Sequence, residues 1–315
     1  MRFLFWNTNG KHDINGIICG AIIEQKANIV ILAEYKDVIE DLLYNLSLNG
    51  IIMKMYPAIG CERITILGTV SNVRQSRQSR YYSMQIIDDK FLLCGVHLPS
   101  QLQTDENTQL VAFQSVVHDI ELAEQESGLI SSIVVGDFNR NPYEEGCLGA
   151  MYFHGIPVAN DAKKLSRTVL GNAYKMFYNP MWNLLGDFNY PPGTYYYTGN
   201  KEKNEFWHMF DQTEKQGAAK PTGKRHKSGA CRLNGASYVQ FVQVKCKSTK
   251  KPPEVPEAGK EPRSAFAVQQ QGRQQAGKTY QCQPQKYIQS NAQGRWAGSW
   301  KGIRYRLKRL NAGDG

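Results

Sequence analysis

No CxxC pair, no apolar run of membrane-spanning length and no signal-peptide pattern occur in this sequence. Seven scattered cysteines, an odd number, argue against a disulfide framework and for a reducing compartment. Without about 18 consecutive apolar residues no membrane helix can form, so no membrane partner is expected. The N-terminal stretch MRFLFWNTNG is too short in apolar residues for a secretory h-region and has no small-residue cleavage site. It reads as a first core strand. The expectation is a cytoplasmic protein with no obligate protein partner. Its 41% hydrophobic content over 315 residues suffices for a sizeable core.

The formal net charge of +10 conceals two opposite halves. Residues 1–212 hold 17 Lys and Arg against 23 Asp and Glu; residues 213–315 hold 21 against 5. An acidic first part is joined to a strongly basic last part. Of the last 103 residues only ten are Ile, Leu, Val or Met, and thirteen are Gln. Such a segment buries too little apolar surface to offset its ordering entropy. The division expected is therefore an ordered domain over 1–212 and a basic, mostly disordered tail over 213–315.

Within the first part, RFLFW is a β-rich run that stops at the turn cluster Asn7-Thr8-Asn9-Gly10. Asp13 is placed to cap a helix with apolar positions Ile14, Ile17, Ile18, Ala21 and Ile22. ANIVILAE predicts a buried strand with Glu34 at its exit. A second helix is predicted over 37–48, a strand at ERITILGT, a hairpin turning at Asp88-Asp89 and ending at His97, and a helix over 105–125. SSIVVGDFN predicts a strand with Asp137 at its exit. GDFN recurs at 186–189, but there it runs into Pro191-Pro192-Gly193 and reads as a loop coincidence. Helices alternating with strands and hairpins imply an α/β or α+β fold, as one mixed sheet or two sheets with helices outside.

Strand ends thus carry Asn7, Glu34, His97, Asp137 and Asn139 to one edge, where ligands of layered α/β folds collect. Carboxylate and amide oxygens are hard donors suited to Mg²⁺ or Mn²⁺. Each residue also has a plain structural alternative. Asn7 and Asn139 could cap turns, Glu34 could be a solvated strand end, and His97 could be a hydrogen-bonded core histidine. Tyr195, Tyr196, Tyr197 and Trp207 read as core or rim before base-stacking platforms. Asp137, following three β-branched residues, is costly to bury without a partner.

These motifs, in order, resemble the endonuclease/exonuclease/phosphatase superfamily. FLFWNTNG is similar to its opening strand, ILAEYKD to its metal-glutamate strand, GVHLPS to its phosphate-contacting segment, VVGDFNRNP to its signature, and NEFWHMFDQ to the segment whose Asp pairs with a catalytic His. The resemblance covers about residues 1–212. It implies a DNase I-like four-layer sandwich of two mixed β-sheets flanked by helices. It also implies divalent-metal-dependent hydrolysis of phosphodiester bonds, with a phosphate-ester substrate such as DNA or RNA. Glu34, Asn7 and Asp137 would hold Mg²⁺ or Mn²⁺. Asn7, His97, Asp137, Asn139 and Asp211 would be catalytic, and His97, Arg140 and Ser100 would contact substrate.

The Ser-Asp-His that closes the family's last strand pair is absent, and the six histidines are at 12, 97, 118, 154, 208 and 226. His208 precedes Asp211 by three, so in a regular strand it faces the other way. The gap coincides with the charge change. A reading-frame shift near residue 213 would account for both. The expectations are a sandwich lacking its last strands, an unpaired sheet edge and impaired hydrolysis. The alternative function is an inactive fold whose basic tail binds nucleic acid non-specifically.

Overall fold

The structure, a computed structural model, describes residues 1–186, 192–199, 204–216, 230–234 and 237–241. Its first part runs β1 (Arg2–Asn7), α1 (Asn15–Gln25), β2 (Ile29–Ala33), α2 (Ile39–Leu48), β3 (Lys54–Met55), β4 (Ile64–Gly68), β5 (Val73–Ser79), β6 (Tyr82–Ile87), β7 (Phe91–His97), α3 (Glu106–Ser127) and β8 (Ser132–Asp137). Shorter elements follow: α4 (Glu145–Leu148), β9 (Gly155–Ile156), α5 (Ala159–Ala162), β10 (Ser166–Val169), β11 (Asn172–Lys175), β12 (Phe177–Tyr178) and a 3-10 turn at Pro180–Asn183. The described chain closes with β13 (Tyr195–Tyr196), β14 (Trp207–His208), β15 (Asp211–Gln216), β16 (Ala230–Asn234) and β17 (Ser237–Phe241).

Two mixed sheets result, in the orders β16-β17-β1-β2-β4-β3 and β5-β6-β7-β8-β15-β12-β9. The pairs β10–β11 and β13–β14 stand apart from them. Side-chain alternation along each strand sends residues to opposite faces. Phe3, Phe5, Ile29, Ile31, Ile64 and Ile66 of the first sheet meet Ile87, Leu93, Ile133 and Val135 of the second. The opposite face of the second sheet, with Met84, Leu92, Val96 and Val134, packs on Phe113, Val116 and Ile120 of α3. The outer face of the first, with Leu4, Val30, Leu32 and Leu67, packs on Ile18, Ile22, Leu42 and Leu46 of α1 and α2. The order helices, sheet, sheet, helix is the four-layer sandwich expected.

Local chemistry explains most of these elements. Asp88 and Asp89 both take left-handed φ, 53° and 52°, the geometry of a tight turn between antiparallel strands. Asp105 caps α3 by accepting from the Thr108 amide at 3.0 Å. The cap of α1 differs from expectation. Asp13 itself sits at φ 58°, and the carboxylate of Asp37 accepts from the Asp13, Ile14 and Asn15 amides at 2.8, 2.7 and 3.2 Å. A cap supplied from 24 residues away leaves no local signature.

Gly136 is required by close packing. A Cβ there would lie 1.9 Å from the Val96 carbonyl oxygen of the neighbouring strand. Glycine therefore lets β8 pair closely with β7 just before Asp137.

The structure also carries strands past residue 212. β15 runs through that position to Gln216, paired antiparallel with β8 along its length. β16 and β17 pair antiparallel, and β17 lies parallel to β1 with Arg2 opposite Tyr238 and Phe5 opposite Phe241. An unpaired sheet edge was expected after the missing strands; β1 is instead paired by β17. The run SYVQF is rich in β-formers and needs little context to extend. The remainder of the basic tail, expected to be disordered, lies outside the described residues. So do residues 187–191, with most of the second GDFN; Gly186 itself is in a turn at φ 91°, its amide donating to Pro192 O.

Candidate active site

Register brings the predicted residues together. In the parallel pair β7–β8 His97 lies opposite Asp137, and in the antiparallel pair β8–β15 Asp211 lies opposite Asp137. Ile133 and Val135 face the other sheet, and the two-residue period puts Asp137 on that same face at the sheet's edge. From the first sheet, Asn7 ends β1 opposite Ala33, and Glu34 follows at once.

Asp137 is buried and held at both oxygens. Oδ2 accepts from Asn7 Nδ2 at 2.9 Å and Oδ1 from the Asn139 amide at 2.9 Å. The bond from Asn7 joins the two sheets across the site. Asn7 Oδ1 accepts from the Asn9 amide at 2.9 Å, which fixes the orientation of the Asn7 amide. Asn139 has a left-handed φ of 52°, and its side chain donates to Leu98 O at 2.8 Å. It braces the loop after β8 against the end of β7.

Glu34 is also left-handed, at φ 52°, a costly conformation for a glutamate. Its amide donates to Arg63 O at 3.1 Å, and its side chain remains 36% exposed. Glu34 Oε1 is 3.3 Å from His97 Nε2. Nδ1 of the same ring is buried and has no hydrogen-bond partner among the described residues. His97 is only 6% exposed. Burial pushes its pKa below 6.5, against the upward pull of Asp137 and Glu34; the Arg63 charge adds to the lowering. The Arg63 guanidinium lies 5.0 Å from the centre of the Tyr81 ring and brings a cation to the rim.

Asp211 is pushed well up from the ordinary carboxylate range by burial first and by the Asp137 charge second, with Thr194 opposing. Thr194 Oγ1 accepts from the Phe210 and Asp211 amides at 3.0 and 3.1 Å. Ser100 lies in the turn after β7, its carbonyl accepting from the Gln103 and Thr104 amides.

Arg140 does not join this group. It is 3% exposed, and its guanidinium donates to Gln109 Oε1 at 3.1 and 2.6 Å and to Glu106 Oε1 at 3.0 Å. A substrate role was expected from its place in the motif. The structure turns it onto α3, where an uncompensated Gln109 carbonyl would otherwise be buried. Arg140→Ala is expected to cost about 1–3 kcal/mol of stability, the usual penalty for orphaning a buried polar group. Urea denaturation measures this, and KM should stay unchanged.

Sequence reasoning missed Asn141, Thr194 and His208. Asn141 is buried and bridges the loop after β8 to the segment before β15: its Oδ1 accepts from the Met209 amide at 2.9 Å, and its Nδ2 meets His208 Nδ1 at 3.0 Å. The second asparagine of NRNP was the one available hint.

The donors at the site are carboxylate and amide oxygens from Glu34, Asp137 and Asn7, a hard set that fits Mg²⁺ or Mn²⁺. Among the described residues no group of three or more His, Cys, Asp or Glu is arranged to hold a metal ion, so an amide oxygen would have to complete the set. Among the described residues, too, no helix is long and apolar enough to cross a membrane.

No family model matches the sequence, and no curated protein matches it. Solved structures do resemble it. Truncated TDP2 from Caenorhabditis elegans aligns at 16% identity and a TM-score of 0.40, covering 69% of this chain and 84% of that one. The 3′ phosphatase NExo from Neisseria, bound to a product DNA hairpin, aligns at 10% identity and 0.40, covering 68% and 86%. The third, from Bacteroides thetaiotaomicron, aligns at 9% identity and 0.39, covering 68% and 79%. That third structure is of an endonuclease/exonuclease/phosphatase family protein, the family that the motifs of this sequence resemble.

Proposed function

We propose that this chain is a divalent-metal-dependent phosphoesterase acting on phosphodiester bonds, with nucleic acid as the substrate class. The observation that supports this reading best is the hydrogen bond from Asn7 to Asp137 across the two sheets, beside the Glu34–His97 pair. It gathers an amide, two carboxylates and an imidazole at one sheet edge.

Glu34 is the exposed member and offers a carboxylate to a cation. Bound there with Asp137 and Asn7, Mg²⁺ or Mn²⁺ would supply neutralisation of phosphate charge and stabilisation of the leaving oxygen. Asp137, with each oxygen already fixed by one donor, keeps lone pairs free to orient a water and accept its proton. His97 stands beside Glu34, with Nε2 at 3.3 Å from Oε1, and burial disfavours its charged form. Asn139 and Thr194 keep the flanking backbone rigid. Arg63 adds positive charge at the rim, where a phosphate would approach.

Metal binding can be measured without turnover. Isothermal titration of the full chain with MgCl₂ or MnCl₂ should give one saturable site per chain, lost in Glu34→Gln. Equal binding by wild type and Glu34→Gln would contradict the assignment of Glu34.

A further inference from the structure

We infer that His208 is a substrate-facing hydrogen-bond donor of this site, presenting Nε2–H to the phosphoester. The inference rests on the phosphoesterase reading above and adds a second imidazole to it.

The protonation state follows from the hydrogen bonds. A backbone amide can only donate, so the Met209 N–H at 2.9 Å identifies Oδ1 as the Asn141 atom turned towards it. The atom facing His208 at 3.0 Å is therefore Nδ2, a donor. His208 Nδ1 must accept, and the ring proton of the neutral imidazole sits on Nε2. Glu205 Oε2, at 4.0 Å from Nδ1, is beyond hydrogen-bond range and does not compete.

The ring is also held in place. It stacks on Phe210 with centroids 4.8 Å apart and planes 21° from parallel, and Phe210 stacks on Tyr195 at 5.4 Å and 22°. The backbone carrying it is fastened on both sides. The Thr194 amide donates to His208 O at 2.7 Å, and the Phe138 amide donates to Phe210 O at 2.8 Å. His208 and Asp211 thus belong to one fixed segment, tied to the loop that follows Asp137. The chain leaves regular strand geometry at Met209 and Phe210, between β14 and β15, so a strict two-residue alternation does not carry through from Asp211 to His208. The His208 side chain is 13% exposed, so part of the ring reaches solvent while Nδ1 is engaged inside. A preorganised neutral donor of this kind strengthens as negative charge develops on the phosphate.

The test uses the full chain, Mg²⁺ and bis(4-nitrophenyl) phosphate. His208→Phe keeps the stack and removes the donor; turnover should fall about 10²–10³-fold. His208→Gln places an amide near Nε2 and should recover much of that loss. In ¹⁵N-resolved spectra of the wild type, His208 should show the Nε2–H tautomer. Turnover by His208→Phe equal to wild type, while Glu34→Gln is inert, overturns the role of His208 and leaves the site reading intact. Turnover that is absent in wild type and Glu34→Gln alike overturns both. An Nδ1–H tautomer overturns the donor assignment regardless of rates.

Discussion

Asp137→Asn should lower phosphodiester turnover by about 10²–10⁴-fold, the range for removing a positioned general base, while leaving the fold intact. The two donors on Asp137 make this substitution sharp. The Asn139 amide can only donate, so the introduced carboxamide must present its oxygen there and its NH₂ to Asn7. Asn7 would have to turn over and surrender the bond from the Asn9 amide. The carboxamide oxygen that remains is far too weakly basic to take a proton from water. Stability should hold or rise, because Asp137 and Asp211 are cross-strand neighbours and the substitution removes one carboxylate of the pair. Activity and stability measured together on one variant separate this account from general misfolding. Turnover within a factor of about three of wild type would contradict the role of Asp137.

The second large effect concerns pH. Glu214 is fully buried, with Oε1 accepting from Asn179 Nδ2 at 2.8 Å and Oε2 without a partner among the described residues. Gln212 shares the same Asn179 donor group, and Gly155 lies so close that an added Cβ would stand 2.3 Å from the Glu214 carboxylate. Burial pushes the Glu214 carboxyl well above its ordinary value of 4.5. The folded state therefore holds a proton that the unfolded state releases. Stability from this group is complete below about pH 4.5 and declines as pH rises through the window above it. The slope reaches about 1.4 kcal/mol per pH unit. Asp211 is raised as well and adds to it with the same sign. Lys215, whose ammonium burial pushes down, acts in the opposite sense towards the alkaline end.

Glu214→Gln keeps the bond from Asn179 and cannot ionise. Between pH 5 and pH 7 it should flatten the wild-type decline, read from urea denaturation at each pH. Parallel pH curves for the two proteins would rule out the buried carboxyl as the cause.

Glu214 also shows where the sequence was hard to read. β15 is DQTEKQ, with no apolar residue, yet Gln212 through Gln216 are buried between β8 and β12. A search for alternating hydrophobicity cannot find such a strand, because its place is set by the neighbouring strands. Among the described residues Thr213 Oγ1 and Gln216 Oε1 are buried there without partners, as Glu214 Oε2 is. A sheet interior tolerates such groups at a cost of about 1–3 kcal/mol each. The expected boundary at 212 reflected this same loss of apolar pattern.

The first four strands of the site were legible for the opposite reason. RFLFW, NIVILA, FLLCGV and SIVVG are apolar or β-branched runs long enough to demand burial, and a polar residue directly after each one must lie at a sheet edge. Asn7, Glu34, His97 and Asp137 follow from that alone. What spacing could not show was partnership across loops. Asp37 capping α1, Arg140 turned onto α3, and Asn141 linked to His208 all depend on the folded path of segments 20 to 70 residues apart.

The most direct test of the central claim is Mg²⁺-dependent turnover of bis(4-nitrophenyl) phosphate by the full chain, measured with and without excess EDTA and beside Glu34→Gln. The account predicts hydrolysis that EDTA abolishes and Mg²⁺ restores, with Glu34→Gln at background. Hydrolysis unaffected by EDTA, or no hydrolysis above the Glu34→Gln background at any Mg²⁺ concentration, would contradict it.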